Sequence, residues 1–347
     1  MAYTTVNKST AHFNTKLYTG NGGTNAITGV GFQPDLVWIK DRDATGYHFW
    51  TDAIRGVTKT LFSNTNGAEG TEVTGLTAFG TDGFTVGNHS NINTSGRNIV
   101  SWNWKANGQG SSNTDGSINT TYTSVNTTAG FSISTYTGNG TAGATIGHGL
   151  GVVPKMIIVK NKTHAGGNWV VYHESLGNTK AVYLDLTDAS GTAGAWNNTS
   201  PTSSVFTVND ANALNGSGGR EYVAYCFAEK KGYSKFGSYT GNGNDDGTFV
   251  YTGFKPAFVM VKATSATSDW NIMDDKRAVS FNPNTKELYA NSSGAEATGG
   301  ETIRDYLSNG FKLRGTSGGT NGNGVSYIYM AFGQSLVGSN NVPCTAR

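Results

Sequence analysis

Apolar residues along the chain fall in short runs of about four to seven positions, rich in Val, Ile, Tyr, Phe, Trp and Thr and bounded by Gly and Asn clusters. Such runs read as strands and leave little room for helices. Asp82-Gly83 and Asn309-Gly310 stand before two of them and fit turns that need φ > 0. Pro34, Pro154 and Pro256 each precede an apolar run, where a strand's first position tolerates the missing N–H. The runs that follow show no polar alternation, so burial on both faces is expected. Thr302 to Ser308 reads as a helical turn.

The pattern repeats. Tyr18-Thr19-Gly20-Asn21-Gly22 returns at Tyr136 to Gly140 and at Tyr239 to Gly243, separations of 136 − 18 = 118 and 239 − 136 = 103 residues. Downstream of each copy comes Gly, Pro, an apolar run and Lys, ending at Lys40, Lys160 and Lys262. Each copy closes on an aromatic-rich segment: Ile99 to Trp104, Tyr222 to Phe227 and Tyr327 to Phe332. The expected fold is therefore all-β, three tandem β-sandwich-like units of ~95 residues, an ordinary domain size. The boundaries are an N-terminal arm at 1–11, units at 12–106, 130–231 and 232–335, and a tail at 336–347. Residues 107–129 read as a Gly/Ser/Asn/Thr linker, with an added strand around Thr121 to Val125 and true linker from Asn107 to Asn113.

Composition narrows the function. A net charge of +2 supplies no field for holding many phosphates, so no nucleic-acid partner is expected. The longest apolar runs cover about four residues, against the ~20 that span a bilayer, so no membrane insertion is expected. The first residues lack the basic and then apolar segments of a signal peptide, and synthesis without conventional export is expected. Cys226 and Cys344 cannot make a disulfide framework.

Chemical motifs are few. Gly138 to Gly143 completes G-x-G-x-x-G, but a β-like run follows it and the other copies lack the third glycine, so a turn accounts for it. The six histidines have no ligand spacing, and neither a metal site nor a cofactor is expected. Asp52, His173 and Asp274 occupy one aligned position that is polar in every copy and chemically inconstant, which suits a satisfied hydrogen-bonding position more than catalysis. The pairs Asp41/Asp43, Asp245/Asp246 and Asp274/Asp275 are the candidates for a glycan depolymerase or a cation site, yet each occurs in one copy only. No catalytic residues are assigned and no enzyme is expected. Trp38, Trp102, Trp104, Trp169 and Trp270 read as core or inter-unit packing. Trp196 with Asn197 and Asn198, in a polar segment, is the candidate for stacking on a sugar, and Tyr47 with Trp50 is the second.

The three Tyr-Thr-Gly-Asn-Gly segments, Gly147 to Lys160, Gly31 to Lys40 and Val100 to Lys105 resemble a family of tandem-repeat virion structural proteins of tailed, mostly marine, bacteriophages, over about residues 12–334. The resemblance implies a phage structural protein made in the host bacterial cytoplasm and displayed on the particle. It brings no catalytic or binding residues to carry across. The expected role is a non-enzymatic tail fibre or receptor-binding component contacting host-surface glycans, with capsid decoration, a head fibre or a polysaccharide depolymerase as alternatives. Other virion proteins and further copies of the chain are the expected partners. Docking to the particle is expected through Met1 to Ala11 and Leu336 to Arg347. Three internal copies leave open whether one chain closes a pseudo-threefold ring or builds a larger one.

Overall fold

A computed structural model describes residues 4–6, 8–278, 282–299 and 302–334. The first unit contains β1 (Phe13–Thr19), β2 (Asn25–Thr28), β3 (Leu36–Asp41), β4 (Phe49–Asp52), β5 (Lys59–Phe62), β6 (Gly70–Thr71), β7 (Leu76–Gly80), β8 (Gly83–Val86) and β9 (Asn98–Trp104). The second contains β10 (Tyr122–Asn126), β11 (Phe131–Thr137), β12 (Ala144–Gly147), β13 (Met156–Asn161), β14 (Val170–His173), β15 (Lys180–Tyr183), β16 (Gly191–Thr192), β17 (Val205–Val208) and β18 (Glu221–Phe227). The third contains β19 (Ser234–Thr240), β20 (Phe249–Tyr251), β21 (Pro256–Ala263), β22 (Asn271–Asp274), β23 (Lys286–Tyr289), β24 (Ala297–Thr298), β25 (Arg304–Leu307), β26 (Gly310–Leu313) and β27 (Ser326–Gly333). The fold is all-β. Among the described residues α1 (Ser90–Asn93) is the one α-helix, and Thr302 to Ser308, expected as a helical turn, instead contributes β25, paired to β26 from Arg304↔Leu313 to Leu307↔Gly310. The Asn309-Gly310 turn closes that hairpin and wins over local helical preference.

Each unit is a sandwich of one large antiparallel sheet and one small one. The large sheets have the order β1-β9-β3-β4-β5-β6, its counterpart β11-β18-β13-β14-β15-β16, and β19-β27-β21-β22-β23-β24. The small sheets are β2-β8-β7, β12-β17 and β20-β26-β25. Between the layers lies a private core, such as Val37, Ile39, Ile99, Phe84 and Val86 in the first unit. The other face of each large sheet is apolar as well, and the three of these faces meet in one shared core. Leu36, Trp38, Trp50, Trp102 and Trp104 enter it from the first unit, Ile133, Ile158, Val171 and Phe227 from the second, Phe258, Ile272, Met330 and Phe332 from the third. The non-alternating runs follow from this geometry, since a strand covered on both faces has no solvent side to mark with polar residues.

The Tyr-Thr-Gly-Asn-Gly repeat is a structural clasp. In each copy the tyrosine hydroxyl donates across the sandwich, Tyr18 to Ile92 O at 2.8 Å, Tyr136 to Leu214 O at 2.7 Å and Tyr239 to Thr320 O at 2.6 Å. The motif asparagine then exchanges bonds with a fully buried asparagine just before the closing strand: Asn139 N donates to Asn215 Oδ1 at 2.8 Å while Asn215 Nδ2 donates to Asn139 Oδ1 at 3.0 Å. Asn21 with Asn93 and Asn242 with Asn321 repeat the exchange. The first glycine has no room for a Cβ, which at Gly138 would meet Gly216 O and the Tyr222 ring, and the second, Gly140, holds φ at 68°. Asn215→Ala is expected to lower stability by about 2–3 kcal/mol, because it removes a fully buried side chain with its three hydrogen bonds, to Asn139 N, Asn139 Oδ1 and Thr141 O, a loss that a urea midpoint would read directly.

Residues 107–129 carry β10, which adds to the edge of β11 in register from Tyr122↔Thr135 to Asn126↔Phe131. Upstream, Asn107 N donates to Ser124 Oγ at 2.8 Å, Ser111 bridges Thr123, and Ile118 is buried in the second unit's private core. The described part of the arm expected to dock on the particle makes contacts inside the fold: Val6 is buried in the shared core and Ser9 Oγ donates to Gln334 O. An apolar side chain at the meeting of three sheets is more stable there than in water. Leu336 to Arg347 lies outside the described residues.

Candidate functional site

The aligned polar position Asp52, His173 and Asp274 ends β4, β14 and β22, and all three side chains are fully buried. Each ties its unit to the next. Tyr225 Oη of the second unit donates to Asp52 Oδ2 at 2.7 Å, and Trp102 Nε1 of the first donates to Asp274 Oδ2 at 3.0 Å. His173 accepts from Ser175 N on Nδ1, so the proton sits on Nε2, which donates to Tyr329 O of the third unit at 3.1 Å. The ring of three thus closes within one chain.

A second tier repeats the cycle. Trp169 Nε1 donates to Phe62 O and Thr65 O, both at 3.1 Å, and Trp270 Nε1 to Tyr183 O at 2.8 Å. His48 stands at the matching place in the first unit, takes a bond on Nδ1 from Trp38 Nε1 at 3.0 Å and faces the Tyr289 and Ser292 carbonyls of the third. Two of the lysines that end the apolar runs cap carbonyls at the same seams: Lys160 Nζ reaches Asn66 O at 3.1 Å and Lys262 Nζ reaches Thr187 O at 3.0 Å, while Lys40 Nζ caps Asp41 O and Ala44 O of its own unit. Burial pulls Lys40, Lys160 and Lys262 each down to about 8. Arg42 closes the last seam with an ion pair to Glu296 at 2.8 Å.

Two buried arginines complete the ties. Arg55 Nε bonds Asp52 Oδ2 at 2.6 Å and Arg277 Nε bonds Asp274 Oδ2 at 2.5 Å. The second unit has His173 and Leu176 in those places, and burial pushes the His173 imidazole down to about 4. A histidine whose folded value lies below its ordinary 6.5 contributes stability that is present above pH 6.5 and lost as pH falls through 4. His173→Asn keeps an acceptor for Ser175 N and removes the titration. Its stability is therefore expected to fall by about 3 kcal/mol less than that of the parent between pH 6.5 and 4. Asp185 and Asp275, raised by burial to about 6, titrate alike in both proteins and drop out of that difference in chemical denaturation.

The residues singled out for glycan contact are not brought together. Trp196 is 1% exposed, sits in the second unit's private core and meets Tyr172 edge-on at 5.6 Å, so both ring faces are covered. It is a loop plug and not a stacking platform. Trp50 is buried in the shared core against Trp38, Trp169 and Tyr225, and is corrected in the same way. Packing a Trp ring into these cores removes more apolar surface from water than a loop position would. Asn197 and Asn198 are exposed with φ of 49° and 51°, and Tyr47 is 47% exposed over Phe62.

Five of the six paired carboxylates are tied into structural bonds. Asp41 pairs with Arg97 at 3.0 Å and accepts Asp43 N, while Asp43 accepts Asn98 N. Asp246 pairs with Lys312, and Asp274 has both oxygens occupied by Trp102, Arg277 and the backbone. Among the described residues no three His, Cys, Asp or Glu side chains converge as metal ligands, and no helix is long and apolar enough to cross a membrane. One open cleft is polar and lies in loops. It measures about 450 Å³ and is formed by Thr163, His164 and Ser217 to Arg220 beside the second unit's clasp.

A family model described as a domain of unknown function (DUF7483) matches residues 8–335, the three units together. The chain belongs to the DUF7483 family. The match begins inside the arm that the shared core takes up and ends one residue beyond the described part of the third unit, so the DUF7483 region coincides with the closed ring. No curated protein and no solved structure matches.

The clasp partners Asn93, Asn215 and Asn321 and the arginines Arg55 and Arg277 were not singled out from the sequence. The asparagines carried a signal, an Asn opening the Gly-rich segment before each closing strand, whereas the arginines carried none, because the second copy lacks them.

Proposed function

We propose that this protein is a non-enzymatic structural component of a phage particle, displayed on the virion, and that its three-unit ring is a rigid platform for polar loops that contact host-surface glycans. The observation that carries the reading is the closed ring: three sandwiches locked by one shared core and reciprocal buried bonds present their clasp loops in fixed relation. Pre-set loops lower the ordering cost of each weak contact, and several such sites on one body raise avidity. The buried acids, bases and lysines at the seams serve as structural bonds, which supports a scaffold over a depolymerase. A tail-fibre or receptor-binding position is preferred to capsid decoration, since exposed loops carry a polar cleft, lined by Thr163, His164 and Ser217 to Arg220, and the exposed Asn197 and Asn198.

Immunogold labelling of particles with antibody to the recombinant chain tests the placement. Label on tail fibres or the tail tip is expected. Label over the head would assign a decoration role, and no label on any particle would overturn the virion reading. A glycan array probed with the multimerised protein tests recognition separately, with binding expected and a blank array counting against it.

A further inference from the structure

Among the described residues, the second unit covers an edge that the first leaves open. β10 pairs with the outer edge of β11, and the equivalent strand of the first unit, β1, pairs among these residues on one side, with β9. In the third unit the edge strand β19 meets the short 3₁₀ turn Glu174–Leu176 of its neighbour. Along β1 there is instead a groove of about 450 Å³, bounded by Asn14, Thr15, Lys16, Leu17 and Gly29 and, across the seam, by Lys276 of the third unit. Thr15, in the groove wall, is 5% exposed and its Oγ1 is buried without a hydrogen-bond partner.

We propose that the free edge of β1 is the docking site for one extended, acidic strand of another protein, paired antiparallel on β1 as β10 is on β11. The charge of the groove selects the occupant. Lys16 stands at the centre of β1, so a symmetric antiparallel pairing with a second copy would set Lys16 against Lys16, and like charges directly opposite oppose pairing. An acidic residue at that place has the reverse effect. Lys276, half-exposed and 3.5 Å from Asp275, adds a second cation on the far wall. The register is set by the second unit: Lys16 corresponds to Ser134, whose partner on β10 is Thr123. Main-chain pairing of this kind gives affinity from the backbone and selectivity from the side chains facing the groove. The inference stands on the edge geometry and does not depend on the virion reading.

The probe is a fluorescein-labelled peptide of residues 120–127 carrying T123E, titrated into the full chain with hydrogen exchange read on residues 13–19. Saturable binding with protection of β1 amides is expected, weakened about tenfold for the T123K peptide. In the Lys16→Glu chain the preference between the two peptides is expected to invert, an inversion that a misfolded variant would not show. Equal binding of both peptides, or no protection of β1 at millimolar peptide, would overturn the proposal. So would binding that appears only after residues 335–347 are removed, which would make the chain's own tail the occupant, or β1 protection that grows with protein concentration alone, which would make it a second copy.

Discussion

Asp274→Ala is expected to lower stability by about 3–5 kcal/mol, because it leaves the Arg277 guanidinium buried without its nearest carboxylate and strands the Trp102 indole N–H. Arg277 keeps Glu296 at 3.1 Å and Ile272 O at 2.9 Å, so the variant is expected to fold, with a lower guanidinium midpoint. Asp274→Asn keeps one acceptor oxygen and turns the other into a donor that faces N–H groups, so it is expected to destabilise as well, by less than the alanine because one pair of bonds survives. The tie joins the third unit to the first, and Trp102 also stacks edge-on with Trp38 at 5.1 Å and lies 5.5 Å from the Arg277 guanidinium. Tryptophan emission should therefore report the loss as one transition. Two separated transitions would show that the units unfold independently and that the ties couple them weakly.

Excising one unit is expected to have the largest effect of all. Residues 12–106 alone would expose Trp38, Trp50, Trp102 and Trp104, which the whole chain buries at 2% exposure or less. Each such ring removes roughly 150–250 Å² from water, and at about 25 cal/mol per Å² even half of that for four rings is on the order of 10 kcal/mol. That matches the ~5–15 kcal/mol by which whole domains are stable, so the isolated unit is expected not to fold as a monomer. Circular dichroism and sedimentation of the excised unit test this. A monomer with cooperative unfolding would refute the shared core as the source of stability.

The two predictions share one origin, which also explains how the sequence reads. Trp38, Trp102 and Trp104 could be assigned to core or inter-unit packing because they lie in strand-like runs, and Trp169 and Trp270 because they align with each other between copies. Trp196, in a loop, and Trp50, in β4, were legible only as candidate recognition aromatics, since their burial depends on what the rest of the chain brings above them. Asp52, His173 and Asp274 were recognisable as one position of constant polarity. Their partners lie in a different copy in each case, 173, 156 and 172 residues away, and no local pattern records such a pairing.

The sequence by itself determined the all-β class, the three copies and the glycine and asparagine turns, because strand propensity, positive-φ requirements and repetition are local properties written in each segment. It also determined that the central strands are covered on both faces. What covers the second face was decided only by the tertiary structure. A run such as Leu36 to Ile39 is equally apolar whether it meets a small sheet, a second copy or two sister units, and only the closure of three large sheets around one core selects among these.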